Sequence, residues 1–269
     1  MFVDPHDAGP DDESAVQDTL EYLESLPQLG AEDTFKFACH PDVPCFNACC
    51  RDLNMPLSPY DVLRLREGLG LDSTTFIKEY ATIEQYPNSG FPVLFLKMKD
   101  DLEQECPFLG KDGCTIYEHR SAACRTYPLG RATHLDEKGH VVEQFVVVQE
   151  DHCKGFEESK EWTAQEWLKD QGLDDYNYFA DRYMSIISRF IDTELELTQK
   201  RVQMSLLAFY QLDHFKGFME DMNLMDRVNV PEERREKIMT DEKERLLFAM
   251  EWMELILFGT STTLSHSVA

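Results

Sequence analysis

The sequence predicts an α+β protein, mostly helical, with a small antiparallel β element and a cysteine-rich core followed by C-terminal helices. Three observations carry this expectation. All eight cysteines fall between Cys39 and Cys153, and none follows. Two short runs rich in apolar residues, 91–98 (FPVLFLKM) and 140–149 (HVVEQFVVVQ), read as strands. From Glu161 onward the pattern turns helical.

Taken in order, residues 1–34 are acidic and punctuated by proline and glycine. They hold one short helical pattern (Val16, Leu20, Leu23, Leu26) that ends before Pro27. They read as a loosely ordered acidic leader. A cysteine-cluster domain is expected over 35–158, and a helical C-terminal region packed on it over 159–269. Within the former, Ser58 suits an N-cap and Pro59 the first helical position, and Leu57 with Val62 suits a hydrophobic staple. Leu63, Leu65 and Leu69 continue that helix until Gly68 and Gly70 stop it. A second helix is expected over 73–80. The two strand-like runs are expected to pair with each other. That places Cys106 to Cys124 in a connection too long for an ordinary loop.

Beyond 159, Thr163 and Glu166 form a capping-box pattern, with Trp162 and Trp167 as staple partners. Further helices are expected over 175–195, 197–222 and 232–258. Their aromatic residues Tyr176, Phe179, Tyr183, Phe190, Phe209, Phe215 and Phe218 read as inter-helix packing rather than a cofactor box.

A chain of 269 residues can bury a real core without disulfide staples. The net charge of −25 repels phosphate backbones and anionic lipid, so neither a nucleic acid nor a membrane is an expected partner. Such a charge mainly confers solubility; a basic protein partner is the sharper alternative. The start, MFVDPHDAGPDDES, lacks the basic and apolar regions of a secretory signal. No run of about 18 apolar residues occurs. The most apolar stretch, 246–258, is interrupted by Glu251 and Glu254. Together these features favour a reducing cytoplasm, where clustered cysteines serve as ligands or catalysts more often than as bridges.

The cysteines are Cys39, Cys45, Cys49, Cys50, Cys106, Cys114, Cys124 and Cys153. A thiolate is a soft ligand, and several together make a site for zinc or an iron–sulfur cluster, so the expected core is metal-stapled. Cys45 and Cys49 are spaced for one face of a helical turn. From the same turn Cys50 points elsewhere, toward another metal atom of the cluster or a second site. Cys106 precedes Pro107, and Cys114 closes a turn-prone G-K-D-G segment that frees N–H groups for metal-bound sulfur. Cys124 is expected to follow a helical turn over 116–122, and Cys153 sits just past the stronger strand. Clustered thiolates carry net negative charge, which Arg51 and Arg125, each directly after a cysteine, are placed to offset; the alternative is pairing with the abundant carboxylates. For Arg120 and Arg131 that pairing is the preferred reading. His40, His119, His134 and His152 share the window, and His152, beside Cys153, is the best histidine candidate for a ligand.

These residues resemble the YkgJ-type cysteine-cluster family, described as a zinc- or iron-chelating domain. The matching stretches are F-x-C…C-x-x-x-C-C-R at Phe37 to Arg51 and C-P-F-L…G-C-T-I-Y-E-x-R at Cys106 to Arg120. C-R-T-Y-P at Cys124 to Pro128 and C-x-G at Cys153 complete them, so that about 37–170 is covered. Ser121 stands where that family has proline, and the gap between Cys39 and Cys45 exceeds the usual one. The resemblance implies metal binding and supplies no substrate. The flagellin lysine methylases are distantly similar in the same blocks.

Only Cys45 and Cys49 have the close spacing of a structural zinc pair, and iron–sulfur clusters tolerate the wider intervals of the others. An iron–sulfur cluster is therefore preferred over zinc. Three functional readings follow. In the first, the chain is a cytoplasmic protein with a redox or cluster-dependent role and a redox or other protein partner. In the second, it is a non-enzymatic, zinc-stapled interaction module. In the third, ranked last, it is a protein lysine methyltransferase-like enzyme, for which no glycine-rich nucleotide loop is visible.

Overall fold

The computed structural model describes residues 25–30, 32–85, 90–135, 141–193, 195–261 and 263–265. The helical pattern around Val16, Leu20 and Leu23 lies outside them. In chain order come strands β1 (Gln28–Leu29), β2 (Thr34–Lys36) and β3 (Pro56–Leu57), then helices α1 (Pro59–Leu69) and α2 (Ser73–Tyr80). Strands β4 (Ala81–Gln85), β5 (Pro92–Leu96), β6 (Leu109–Gly110) and β7 (Gly113–Cys114) lead to helix α3 (Ala122–Thr126). After β8 (Leu129–Leu135), β9 (Val141–Val147) and β10 (Glu161–Thr163) the chain is helical. Its helices are α4 (Ala164–Asp170), α5 (Asp174–Asp192), α6 (Gln199–Tyr210), α7 (Leu212–Asp221), α8 (Leu224–Arg227), α9 (Glu232–Thr240) and α10 (Glu242–Phe258). The fold is α+β, helix-dominated, with small antiparallel sheets.

Two compact units divide the chain: Met1–Asn54 with Met98–Asp175, and Met55–Lys97 with Tyr176–Ala269. This cut differs from the expected boundary near 158. Residues 55–97, which carry no cysteine, group with the C-terminal helices, and 159–175 group with the cysteines.

In the cysteine-free unit, local chemistry decides the helix starts. The Ser58 hydroxyl accepts from the Asp61 N–H at 3.1 Å, and the Asp61 carboxylate accepts from the Ser58 N–H at 2.9 Å, so α1 begins on a full capping box with Pro59 at N1. Gly70, at φ 65°, ends it in the left-handed conformation that glycine adopts freely. Asp72 caps α2 through the Thr75 N–H at 2.8 Å. Tyr60 of α1 stacks on Phe179 of α5 with centroids 4.7 Å apart, and Phe91 meets Phe190 edge-on at 4.8 Å. The Tyr183 hydroxyl donates to the Pro92 carbonyl at 3.3 Å. The aromatic residues therefore pack as expected.

The helix expected over 197–222 is instead α6 and α7. The break is at Gln211 (φ −125°, ψ 57°), which turns Leu212 and Phe215 inward to full burial. The helix expected over 232–258 divides at Asp241, whose extended backbone ends α9 and whose carboxylate caps α10 through the Lys243 N–H at 2.8 Å. Glu251 and Glu254 are buried on α10 and paired, Glu251 with Arg234 at 2.9 Å and Glu254 with Arg182 at 3.1 Å. Carboxylates that interrupt an apolar run in the sequence thus lie inside a helical core.

The expected pairing of 91–98 with 140–149 does not form. β5 is the central strand between β3 and β4, and β9 is the central strand between β1 and β8. Each strand takes the partner nearest in the chain, β4 for β5 and β8 for β9, because short connections close at lower entropic cost. β1 lies in the segment expected to be a loose leader, yet it pairs with β9 through Gln28↔Val146 and Leu29↔Phe145. Thr163 and Glu166 form the expected capping box, and Trp162 and Trp167 meet with centroids 5.2 Å apart.

Candidate metal centre

The cysteines are carried by segments that backbone hydrogen bonds tie together in the first unit. β2 runs into Cys39. The Phe37 N–H donates to the Lys160 carbonyl at 2.9 Å, and the Ala38 N–H to the Gly155 carbonyl at 3.1 Å, which lays Cys39 along the loop bearing Cys153. Phe37 is buried among Tyr127, Phe156 and Trp167, with centroids 5.3 to 5.8 Å apart. Position 155 must be glycine: a Cβ there would sit 2.6 Å from the Phe37 ring and 2.8 Å from the Ala38 carbonyl oxygen.

From His40 to Cys50 the chain makes successive tight turns. N–H groups donate three residues back: Val43 to His40, Phe46 to Val43, Ala48 to Cys45 and Cys50 to Asn47, at 2.8 to 3.1 Å. Asn47 is left-handed at φ 68°. The helical turn expected across Cys45 and Cys49 is therefore absent, and the two do not stack as positions i and i+4 of an α-helix would. The Cys45 sulfur instead accepts the backbone N–H of Lys154 at 3.0 Å. Cys45 and Tyr127 lie close enough to Cys153 to act on its thiol, which burial pushes up.

A second set of bonds gathers the remaining cysteines. Arg51 and Glu105 form an antiparallel bridge, the Asp52 N–H donates to the Gln104 carbonyl at 3.0 Å, and the Cys106 N–H donates to the Cys50 carbonyl at 2.8 Å. The Leu109 N–H donates to the Cys106 carbonyl at 3.0 Å, and burial is the main cause that pushes the Cys106 thiol up. The β6–β7 hairpin sets Cys114 opposite Leu109. A helical turn precedes Cys124 as expected, but it is the short 3₁₀ turn Tyr117–His119, and Cys124 itself lies within α3. The hydroxyl of Ser121 leaves the helix end uncapped and donates to the Cys124 sulfur.

The arginines serve the frame. Arg51 pairs with Glu103 at 2.6 Å and Glu105 at 2.9 Å, which fastens Cys50's segment to that of Cys106. Buried Arg125 donates to three backbone carbonyls: Arg120 at 3.1 Å, and Glu118 and Gln171 each at 2.6 Å. Arg131 pairs with Glu143 at 2.7 Å, as expected of it. Arg120 departs from the surface-pairing expectation. It is buried, donates to the Tyr117 carbonyl and the Gln171 side chain, each at 2.6 Å, and lies within electrostatic reach of Cys39 and Cys124.

The thiols feel one another. Burial, then the charges of Cys49, Cys45 and Cys153, push the Cys39 thiol up to about 11, with Arg120 opposing. Burial, with Cys106, Cys49 and Cys114 adding to it, pushes Cys124 up to about 11 even though this residue keeps contact with solvent: protein surrounds it on most sides and one side stays open. The Cys50 thiol donates to Cys49, which holds Cys49 down to about 7 and drives Cys50 far up. Burial and the Cys153 sulfur drive the Tyr127 phenol far up as well. Its hydroxyl lies buried against that sulfur without an aligned hydrogen bond.

All eight cysteines (Cys39, Cys45, Cys49, Cys50, Cys106, Cys114, Cys124 and Cys153) are free thiols and fall in the first unit. Among the described residues no group of three or more His, Cys, Asp or Glu side chains is already spaced to hold an ion. The donor set fits a thiophilic cation: soft sulfurs, of which Cys45 already receives a backbone N–H of the kind that supports metal-bound thiolate. Of the histidines, His40 lies 3.6 Å from Glu158 and His152 lies 3.4 Å from Glu150. Nδ1 of His119 is buried without a partner, and the side chain of His134 lies outside the described residues. The sequence reading did not single out Tyr127 or the Lys154 N–H. Their signal was proximity in sequence to Cys124 and Cys153.

Residues 38–161 match the family model CxxCxxCC, described as a "Putative zinc- or iron-chelating domain". The match spans all the cysteine blocks except its first flank at Phe37. No curated protein and no solved structure matches the chain. Among the described residues no helix is long and apolar enough to cross a membrane.

Proposed function

We propose, from the match of residues 38–161 to a family model described as a zinc- or iron-chelating domain, that the chain works through an inorganic centre of the iron–sulfur type, in a reducing cytoplasm. Zinc is the alternative. The proposed ligands are drawn from Cys39, Cys45, Cys49, Cys50, Cys106, Cys114, Cys124 and Cys153. The observation that supports the reading is that all eight free thiols, borne by separate segments, fall in one unit, with the Cys45 sulfur already receiving the Lys154 N–H.

Irregular spacing favours a cluster over a single ion, because a cluster is larger and accepts sulfurs from more directions. Such a group supplies one-electron redox chemistry when bound, and a protein or redox partner would then exchange the electron. The chain's own residues supply the surroundings. N–H donation from Lys154 stabilises anionic sulfur at Cys45, and Phe37, two residues before Cys39, packs on Phe156 and Trp167.

Anaerobic purification followed by iron, sulfide and zinc analysis and electron paramagnetic resonance tests this. Brown protein with matching iron and sulfide is expected. Colourless protein holding tight zinc would select the alternative, and protein that takes up neither metal would end both readings.

A further inference from the structure

We propose that the cleft beside Cys153 is a docking groove for a basic partner polypeptide, which seats a lysine or arginine side chain in it. The inference rests on the metal reading above only in placing this partner next to one of the proposed ligands; the groove itself stands on its own geometry and charge.

The cleft has a volume of about 470 Å³, within the roughly 300–1,000 Å³ of ligand pockets. Two stretches of the first unit build it. The Val147 N–H donates to the Pro27 carbonyl at 3.0 Å, which brings Leu26 and Pro27 against the end of β9. The loop that follows folds back in two turns, with the Cys153 N–H on the Glu150 carbonyl at 2.9 Å and the Glu157 N–H on the Lys154 carbonyl at 3.1 Å. Phe156 is held edge-on against Phe37, with centroids 5.3 Å apart. Leu26, Val147 and Phe156 are half-buried, so the floor of the cleft keeps apolar surface open to solvent.

The rim is negative. Glu150, Asp151 and Glu157 line the cleft, set against Lys154. Glu150 lies 3.4 Å from His152 and Glu157 lies 3.4 Å from Lys154, solvent-exposed pairs that an incoming cation displaces at little cost. Among the described residues these carboxylates are not spaced to hold a bare metal ion. An apolar floor under a negative rim fits a lysine or arginine side chain instead, whose methylene stem lies on the apolar surface while its charged head stays at the wet edge. A phosphate-bearing partner has the wrong sign for this rim and for a chain of net charge −25. That overall charge draws a basic polypeptide in from a distance, and the cleft gives one of its side chains a fixed place.

The full chain, reduced and kept anaerobic, is titrated by calorimetry with the peptide acetyl-Gly-Leu-Lys-Gly-Leu-Lys-Gly-amide, and with its counterpart carrying glutamate for lysine. The lysine peptide is expected to bind and the glutamate peptide to give no heat. The double variant Asp151→Asn/Glu157→Gln should bind the lysine peptide about 10-fold more weakly. Glu220→Gln/Asp221→Asn, which removes the same charge from exposed positions of the second unit, should bind it like wild type. No binding to wild type, or an equal loss in both double variants, overturns the groove. Sedimentation showing a dimer that the Asp151/Glu157 variant loses would make a second copy of the chain the occupant and overturns it too. Iron, sulfide and zinc analysis of the same samples separates the two readings. Metal-loaded protein that ignores the peptide ends the groove alone, and peptide-binding protein that takes up neither metal upholds the groove and ends the metal centre.

Discussion

The backbone N–H of Lys154 donates to the Cys45 sulfur at 3.0 Å, joining residues 109 positions apart in the chain. A donor of this kind survives any side-chain substitution except proline. Lys154→Pro should weaken metal binding by about 10-fold, the usual loss when a partner of a metal-bound sulfur is removed. Lys154→Ala, which keeps the N–H and loses only the exposed pairing with Glu157, should bind like wild type. Competition with a chromophoric chelator measures both, and equal affinities would remove the Lys154 N–H from the centre.

Arg125 is expected to matter for folding rather than for chemistry. Its guanidinium is spent on the carbonyls of Arg120, Glu118 and Gln171. Arg125→Ala leaves three carbonyl acceptors, one buried and two part-buried, without that donor and should cost about 2 kcal/mol. Arg125→Lys should recover little, since an ammonium cannot reproduce the planar fork. Denaturant unfolding gives both values.

Asp213 links α7 to the start of α2. Burial disfavours its charge, but the Ser73 hydroxyl and N–H, the latter at 2.9 Å, together with Arg66 at 3.7 Å, outweigh burial and hold its carboxyl below the ordinary 3.8. A carboxyl whose folded value lies below its unfolded value stabilises the fold above the unfolded value. That stabilisation is lost as pH falls through the folded value, so the window lies below about pH 4. Asp213→Asn should cost about 1 kcal/mol at neutral pH, with solvent screening limiting the loss. The variant should also show a flatter stability profile below pH 4 than wild type. Unfolding curves across pH 2–7 test the sign.

Phe215 is fully buried against Phe218, Phe248 and Trp252, with centroids 5.4 to 6.4 Å apart. Phe215→Ala should destabilise the protein by about 4 kcal/mol through lost transfer energy and the cavity left behind. Phe215→Leu should cost less, and calorimetry would separate the two.

What could be read from the chain alone was what depends on neighbours three or four residues away. The capping boxes at Ser58 and Thr163, the Asp72–Tyr80 helix and the Trp162–Trp167 staple all satisfy backbone groups within one turn, so no distant partner is needed to set them. The cysteine blocks were legible because the residue type itself carries the chemistry. Tertiary structure decided the rest. β5 and β9 took separate sheets because strand partners are chosen by which connections close first and which faces bury. Gln211 broke a helix whose residues favour one, because Leu212 and Phe215 gain burial by turning inward. The tight turns through Cys45 and Cys49 replaced the expected helical turn, with Asn47 left-handed and the Arg51↔Glu105 bridge holding the segment beyond. Those contacts span distances along the chain over which no periodicity or spacing carries information.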